Sequence, residues 1–229
     1  MKKAIFLPAV ALCVAACSEP TTSPDLKVVA TKQTPPPTGG SLGEQFETGI
    51  ASLGAWTPQS LSTSPGTAAK SPTSFLGRFA NELVTLTVPA GASSVTLTFD
   101  LYVIGTWDGS GLQGFGADRW QLEVSKAGGA RENVFHTSFS NEATKPQNYP
   151  KQIDQGGTSP DGRGALAVNT LGYPKGSGKY DLGDAIYRLS FTVANPGLGE
   201  MVFYFHSTTP LQGIDDESWG LDNVLVTRN

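Results

Sequence analysis

The chain is short of the side chains that carry most thiol, imidazole and metal chemistry: two cysteines, two histidines and two methionines in 229 residues. His136 and His206 each sit in a strand-like run, and no H-x-E or H-x-x-x-H spacing occurs, which argues against a transition-metal site. Charge is scarce as well. Charged residues make up 16% of the chain, and 16 basic against 20 acidic residues leave a net charge of −4 with a pI near 5.2. Domains that bind nucleic acid usually show a pI above about 9 or a clustered basic face, so DNA and RNA are excluded as partners. No apolar run reaches the roughly 18 residues needed to cross a bilayer as a helix, and no window gives a convincing amphipathic helix. Glycine and proline are plentiful, 27 and 16, but stay below the share at which a whole chain reads as low-complexity. Most of it is expected to fold.

Lys2 and Lys3, followed by the apolar stretch from Ala4 to Ala16, read as a secretory signal peptide. Val14-Ala15-Ala16-Cys17 resembles the lipobox of bacterial lipoproteins. In that family the signal is cut before the cysteine, whose thiol then carries lipid, so the resemblance implies lipidation at Cys17; the alternative is a simple signal peptide with Cys17 incidental. Loss of residues 1–16 removes two lysines and Cys13, taking the net charge from −4 to −6. An acylated Cys17 leaves no thiol for a disulfide, so the fold must rest on an apolar core. Each buried methylene of an acyl chain adds roughly 0.8 kcal/mol of membrane affinity, enough in two or three chains to anchor the protein without a spanning helix. The expected location is the bacterial cell envelope. Ser18, rather than Asp, follows the cysteine, which in Gram-negative lipoproteins resembles outer-membrane sorting.

From Cys17 to residue 43 the composition shifts to Ser, Thr, Pro and Gly, ending in Pro35-Pro36-Pro37 and Gly39-Gly40. Such a segment cannot bury enough apolar surface to offset chain entropy and reads as a disordered tether. Residues 44–229 are left as one domain, and its dominant period is two. Val95, Leu97, Phe99, Leu101 and Val103 alternate with Thr96, Thr98, Asp100 and Tyr102, the pattern of a half-buried strand. Runs over 83–88, 120–124, 133–139, 186–193, 201–205 and 221–226 look similar, separated by turn residues such as Pro89-Ala90-Gly91, Asp108-Gly109 and Asn195-Pro196-Gly197. These features predict an all-β, two-sheet antiparallel sandwich or jelly roll. The stretch 141–183, with few apolar residues, is expected to be a long surface loop.

Two apparent motifs carry no chemistry. Gly39-Gly40-Ser41-Leu42-Gly43 matches G-x-S-x-G but lies in the tether, without the strand-to-helix turn that the nucleophile needs. Gly109-Ser110-Gly111-Leu112-Gln113-Gly114 matches G-x-G-x-x-G, but a strand pattern follows where a phosphate site needs a helix. Carboxylates remain: Asp100, Asp108 and Asp118 surround the Gly-rich loop, and Asp215, Asp216, Glu217 and Asp222 crowd the C-terminal end. They could serve a paired-acid hydrolase or calcium, which takes six to eight oxygen ligands and tolerates irregular geometry.

The strings Phe75-Leu76-Gly77-Arg78-Phe79-Ala80-Asn81-Glu82, Phe99-Asp100-Leu101-Tyr102-Val103-Ile104 with Trp107-Asp108-Gly109, and Asp216-Glu217-Ser218-Trp219-Gly220-Leu221-Asp222-Asn223-Val224 resemble a group of secreted bacterial proteins of unknown function. More distantly, Phe46-Glu47 and Gly220-Leu221-Asp222-Asn223-Val224 resemble the opening and closing strands of MAM-type and carbohydrate-binding jelly rolls. That likeness implies adjacent first and last strands and a structural calcium ion shared by Glu47 and Asp222. The paired cysteines of extracellular MAM domains are missing. Trp107 and Trp120, with Asp108 beside the first, form a candidate platform for a polar ligand, since a stacking ring next to an acceptor suits a sugar; packing of both rings in the core is the competing expectation. The functional expectation is a tethered, non-catalytic recognition module for glycan or polysaccharide. The alternatives are a structural or adhesive envelope protein making protein contacts, and a carboxylate-based glycan hydrolase.

Overall fold

The computed structural model describes residues 42–111, 116–175 and 183–229. Cys17, the expected signal and nearly all of the expected tether, through residue 41, lie outside them. Twelve strands follow in order: β1 (Leu42–Glu44), β2 (Trp56–Thr57), β3 (Leu61–Thr63), β4 (Ser74–Phe79), β5 (Val84–Val88), β6 (Ser94–Gly105), β7 (Arg119–Lys126), β8 (Glu132–Ser138), β9 (Ala167–Val168), β10 (Asp184–Ala194), β11 (Met201–Ser207) and β12 (Glu217–Arg228). Every pairing between them is antiparallel. One sheet of seven strands runs β3-β4-β12-β6-β10-β9, with β1 also paired to β12; a second of five strands runs β2-β5-β11-β7-β8. From β4 to β7, and again from β10 to β12, each connection passes from one sheet to the other, which is how a jelly-roll sandwich is wound. Among the described residues no helix is long and apolar enough to cross a membrane.

The period-two pattern sets the core. Leu97, Phe99, Leu101 and Val103 of β6 turn inward, as do Trp120, Leu122 and Val124 of β7 and Phe203 and Phe205 of β11. Aromatic rings join the sheets: Phe205 meets Phe99 edge-on at 5.5 Å, Trp120 meets Trp219 at 6.1 Å, and Phe135 meets Phe191 at 5.2 Å. Such pairs add about 0.5–1.5 kcal/mol each beyond the area they bury. The first and last strands do lie together, with Leu42 opposite Val226 and Glu44 opposite Val224.

The stretch 141–183 departs from its expected role as a surface loop. Its first half sends Tyr149 into the main core against Phe139 and Tyr187. Buried Gln147 organises that half: it donates to Tyr149 O and Arg163 O and accepts from Ser140 N and the Tyr187 hydroxyl. The second half lays Leu171 on the outer side of the seven-stranded sheet, where it forms a second small core with Phe75, Tyr102, Ile104 and Ile186. Asp184 pins it there, one carboxylate oxygen accepting from Thr170 N at 2.8 Å and Leu171 N at 3.1 Å. Gly220 makes room for this cover, because a Cβ at that position would lie 2.4 Å from the Phe75 ring.

Candidate functional site

The expected platform does not exist. Trp107 and Trp120 are both fully buried. Trp120 shares the inward phase of Leu122 and Val124, and the Trp107 indole N–H donates to Ser218 O at 3.1 Å while the ring packs on Phe139. Asp108, mostly buried, is ion-paired with Lys145 at 2.5 Å. No sugar can stack on these rings without opening the core, so the proposed ligand residues Trp107, Asp108 and Trp120 are corrected to structural ones.

Glu47 and Asp100 lie close enough to Asp222 for their charges to raise its carboxyl. Glu47 and Asp222 are already served by protein donors. Glu47 accepts from the Thr73 hydroxyl and from Ser74 N at 3.2 Å; Asp222 accepts from the Tyr102 hydroxyl at 2.6 Å and Asn223 N at 2.7 Å. Burial is the main cause that raises the Asp222 carboxyl to about 6. Across the sheet, Asp100 takes a bidentate pair from Arg188 at 2.7 Å and an amide hydrogen bond from Asn223 at 2.9 Å. A calcium ion between Glu47 and Asp222 would have to share these carboxylates with the donors they already hold.

A different set of acids converges. Asp108, Asp118 and Glu217 place one carboxylate oxygen each within 4.8 Å of the others. The fold brings them together: Asp118 enters β7 just after the Gly-rich loop, its carboxylate accepts from Asp108 N, and Glu217 opens β12 opposite Gly105. A Cβ at Gly105 would lie 1.7 Å from Asp216 O, so only glycine allows this close approach. Burial pushes the Asp118 carboxyl to about 6 and, with the Asp118 charge adding to it, Glu217 to about 8. Each of the two carboxyl groups lies within reach of the other's charge, so they titrate as a pair. A glycosidase needs its two acids to flank a sugar. Here their carboxylate oxygens lie within 4.8 Å of each other, at 4% and 1% exposure, and a sugar has no access between them.

The open surface is the outer face of the five-stranded sheet, built from the polar phase of the same alternation. In one row Tyr204 lies between Thr85 and Glu123, with Asn133 beyond; in the next, Gln121 lies between His206 and His136. The Arg131 guanidinium sits 4.0 Å from the Tyr204 ring centroid and 3.5 Å from Glu123, whose carboxylate also meets His206 at 3.1 Å. Gln121 donates to Asn133 at 3.1 Å, and His136 meets the Thr208 hydroxyl at 3.0 Å. Burial, followed by the charges of Arg119 and His206, holds His136 below the usual imidazole value. The reading of the sequence treated these histidines as ordinary strand residues. The signal that could have found them is the solvent-facing phase of three strands taken together.

No protein-family model matches the chain, and no curated protein is similar to it in sequence. Among solved structures, the carbohydrate-binding module TmCBM61, in complex with beta-1,4-galactotriose, aligns at 11% identity and a TM-score of 0.37, covering 81% of this chain and 95% of that one. The K3 adhesin domain of Lys-gingipain from Porphyromonas gingivalis aligns at 14% identity and the same TM-score of 0.37, covering 83% of this chain and 99% of that one.

Proposed function

We propose that this chain is a non-catalytic recognition module of the bacterial envelope, anchored through Cys17, that binds glycan on the outer face of its five-stranded sheet. The observation that supports it is the array Tyr204, His206, Gln121, Glu123, Asn133 and His136. These are planar donors and acceptors, held to one another on adjacent strands beside an aromatic ring and left partly or fully exposed. A sugar offers hydroxyl groups that can replace such bonds one for one and an apolar ring face to lay on a phenol. The test is a glycan and polysaccharide array probed with the chain and with Tyr204→Ala/His206→Ala. Specific signals lost in the double variant are expected; signals unchanged by it move the site elsewhere, and none at all sinks the glycan reading.

An apolar groove of about 300 Å³, lined by Leu42, Ala55, Val88, Pro89 and Val226 beside exposed Leu53, favours a second reading as an adhesive protein-contact module. Two further parts of the proposal have separate tests. Metabolic labelling with palmitate is expected to mark the chain and to be abolished by Cys17→Ser. Calcium at Glu47 and Asp222 would raise the melting temperature over that in EDTA, and Asp222→Ala would remove that gain while lowering both melts through its lost hydrogen bonds.

A further inference from the structure

One end of the open face carries Arg119. Arg119 stands on the same side of β7 as Gln121 and two residues before it, next to the His206-Gln121-His136 row. Its backbone is engaged, the amide donating to the Thr209 hydroxyl and the carbonyl accepting from Thr208 N and the Ser207 hydroxyl. Its guanidinium has no ion pair or side-chain hydrogen bond among the described residues, in contrast to Arg78, Arg131, Lys126, Lys145 and Arg188, which all have acidic partners. The charge is felt where it stands, since it lowers the affinity of His136 for a proton. The acids facing that imidazole are Asp154, on the turn beside β8, and Glu123, which already serves His206 and Arg131. Arg119, partly exposed and close enough to His136 for its charge to act there, therefore has no carboxylate partner among the described residues. The rest of the chain is acidic, so a polyanion gains nothing from the protein's net charge and has to be held locally.

We infer that this end takes the ring carboxylate of an acidic polysaccharide, Arg119 pairing with it through two parallel N–H groups and His136 adding a charge-assisted hydrogen bond when protonated. The inference rests on the glycan reading above and names its ligand class as uronate-containing chains.

The experiment uses the full chain purified in detergent and affinity electrophoresis in EDTA through gels containing polygalacturonate, alginate, hyaluronate, methyl-esterified pectin, neutral galactan or dextran sulfate. Retardation by at least one uronate polymer is expected, strengthening as pH falls below the usual imidazole value, because the bound carboxylate offsets the lowered proton affinity of His136. Arg119→Gln, which leaves the backbone bonds intact, should weaken it about tenfold or more, and Arg119→Lys should restore part of it. Binding of neutral galactan alone, or of a uronate polymer with no loss in Arg119→Gln, overturns the inference and leaves the glycan reading standing. Equal retardation by dextran sulfate shows a general anion site and overturns the carboxylate assignment. Retardation by none of the polymers, together with a blank glycan array, overturns both.

Discussion

The two outer faces of the sandwich are built from the same alternation and put to opposite use. On the seven-stranded sheet the outward phase of β6, β10 and β12 carries Tyr102, Ile104, Ile186, Asp100, Arg188 and Asp222, and the long loop with Phe75 closes over the apolar part of it. On the five-stranded sheet the outward phase of β5, β11, β7 and β8 carries Thr85, Tyr204, His206, Gln121, Glu123 and His136, and nothing covers it among the described residues. A polar group under cover must be paired or it costs stability; a polar group in water is free to exchange its partners. The covered face therefore holds the fold, and the open face is the one that can bind without unfolding anything.

The largest effect should come from breaking the covered face. Arg188 and Asp100 form a bidentate pair with side chains only 11% and 5% exposed. Removing one member of a buried pair strands the other charge and costs about 3–5 kcal/mol. Arg188→Ala should lower stability by that order in denaturant unfolding. Lys126→Ala, which breaks the exposed pair with Glu132 on the open sheet, should cost about 0–1 kcal/mol. Equal losses would mean that the two faces do not differ in the way described.

A smaller effect, legible in pH, separates buried acids from open ones. Burial and their mutual charge push the Asp118 and Glu217 carboxyls up from the ordinary 3.8 and 4.5 to about 6 and about 8. Between these values the folded state holds more protons than the unfolded state, so stability falls as pH rises from about 4 to about 8 and is highest at the acid end of that window. Glu217→Gln should flatten the upper part of this slope. Melting temperatures of the wild type and this variant at pH 5, 6.5 and 8 decide.

How far the sequence reached follows the same division. The inward phase was open to view because apolar residues repeat every second position, so β5 to β8 and β10 to β12 lie where the pattern put them. Strand β12 begins earlier than expected because Glu217 and Gly220 interrupt the apolar run, the first to reach Asp118 and the second to admit the Phe75 ring. Tyr149 and Leu171 were hidden in a loop whose other residues are polar or small, since a lone apolar residue has no period. The misplaced platform is more instructive. Trp120 stands in phase with Leu122 and Val124, and that phase already said inward, but its nearness in sequence to Asp108 and Trp107 drew a surface reading. Convergence of Asp118 with Glu217, and of Gln121 with His206 and His136, depends on strand register that neither sequence segment contains.

The smallest effect on stability should accompany the largest effect on binding, and this is the sharpest form of the contrast. Tyr204 is part-exposed, its hydroxyl meets Ser125 at 3.2 Å, and its ring is covered on one side by Arg131. Truncation to alanine removes one cation–π contact of about 0.5–1 kcal/mol and no core packing, so the melt should shift by no more than a few degrees. If the open face is the binding surface, the same substitution takes away the phenol ring that a sugar could lie on there, and affinity for the glycan identified on the array should fall about tenfold or more. A variant that melts like the wild type and binds like it would leave the open face merely solvated. One that unfolds would show that this face, too, is needed to hold the sandwich together, and the division of labour between the sheets would fail.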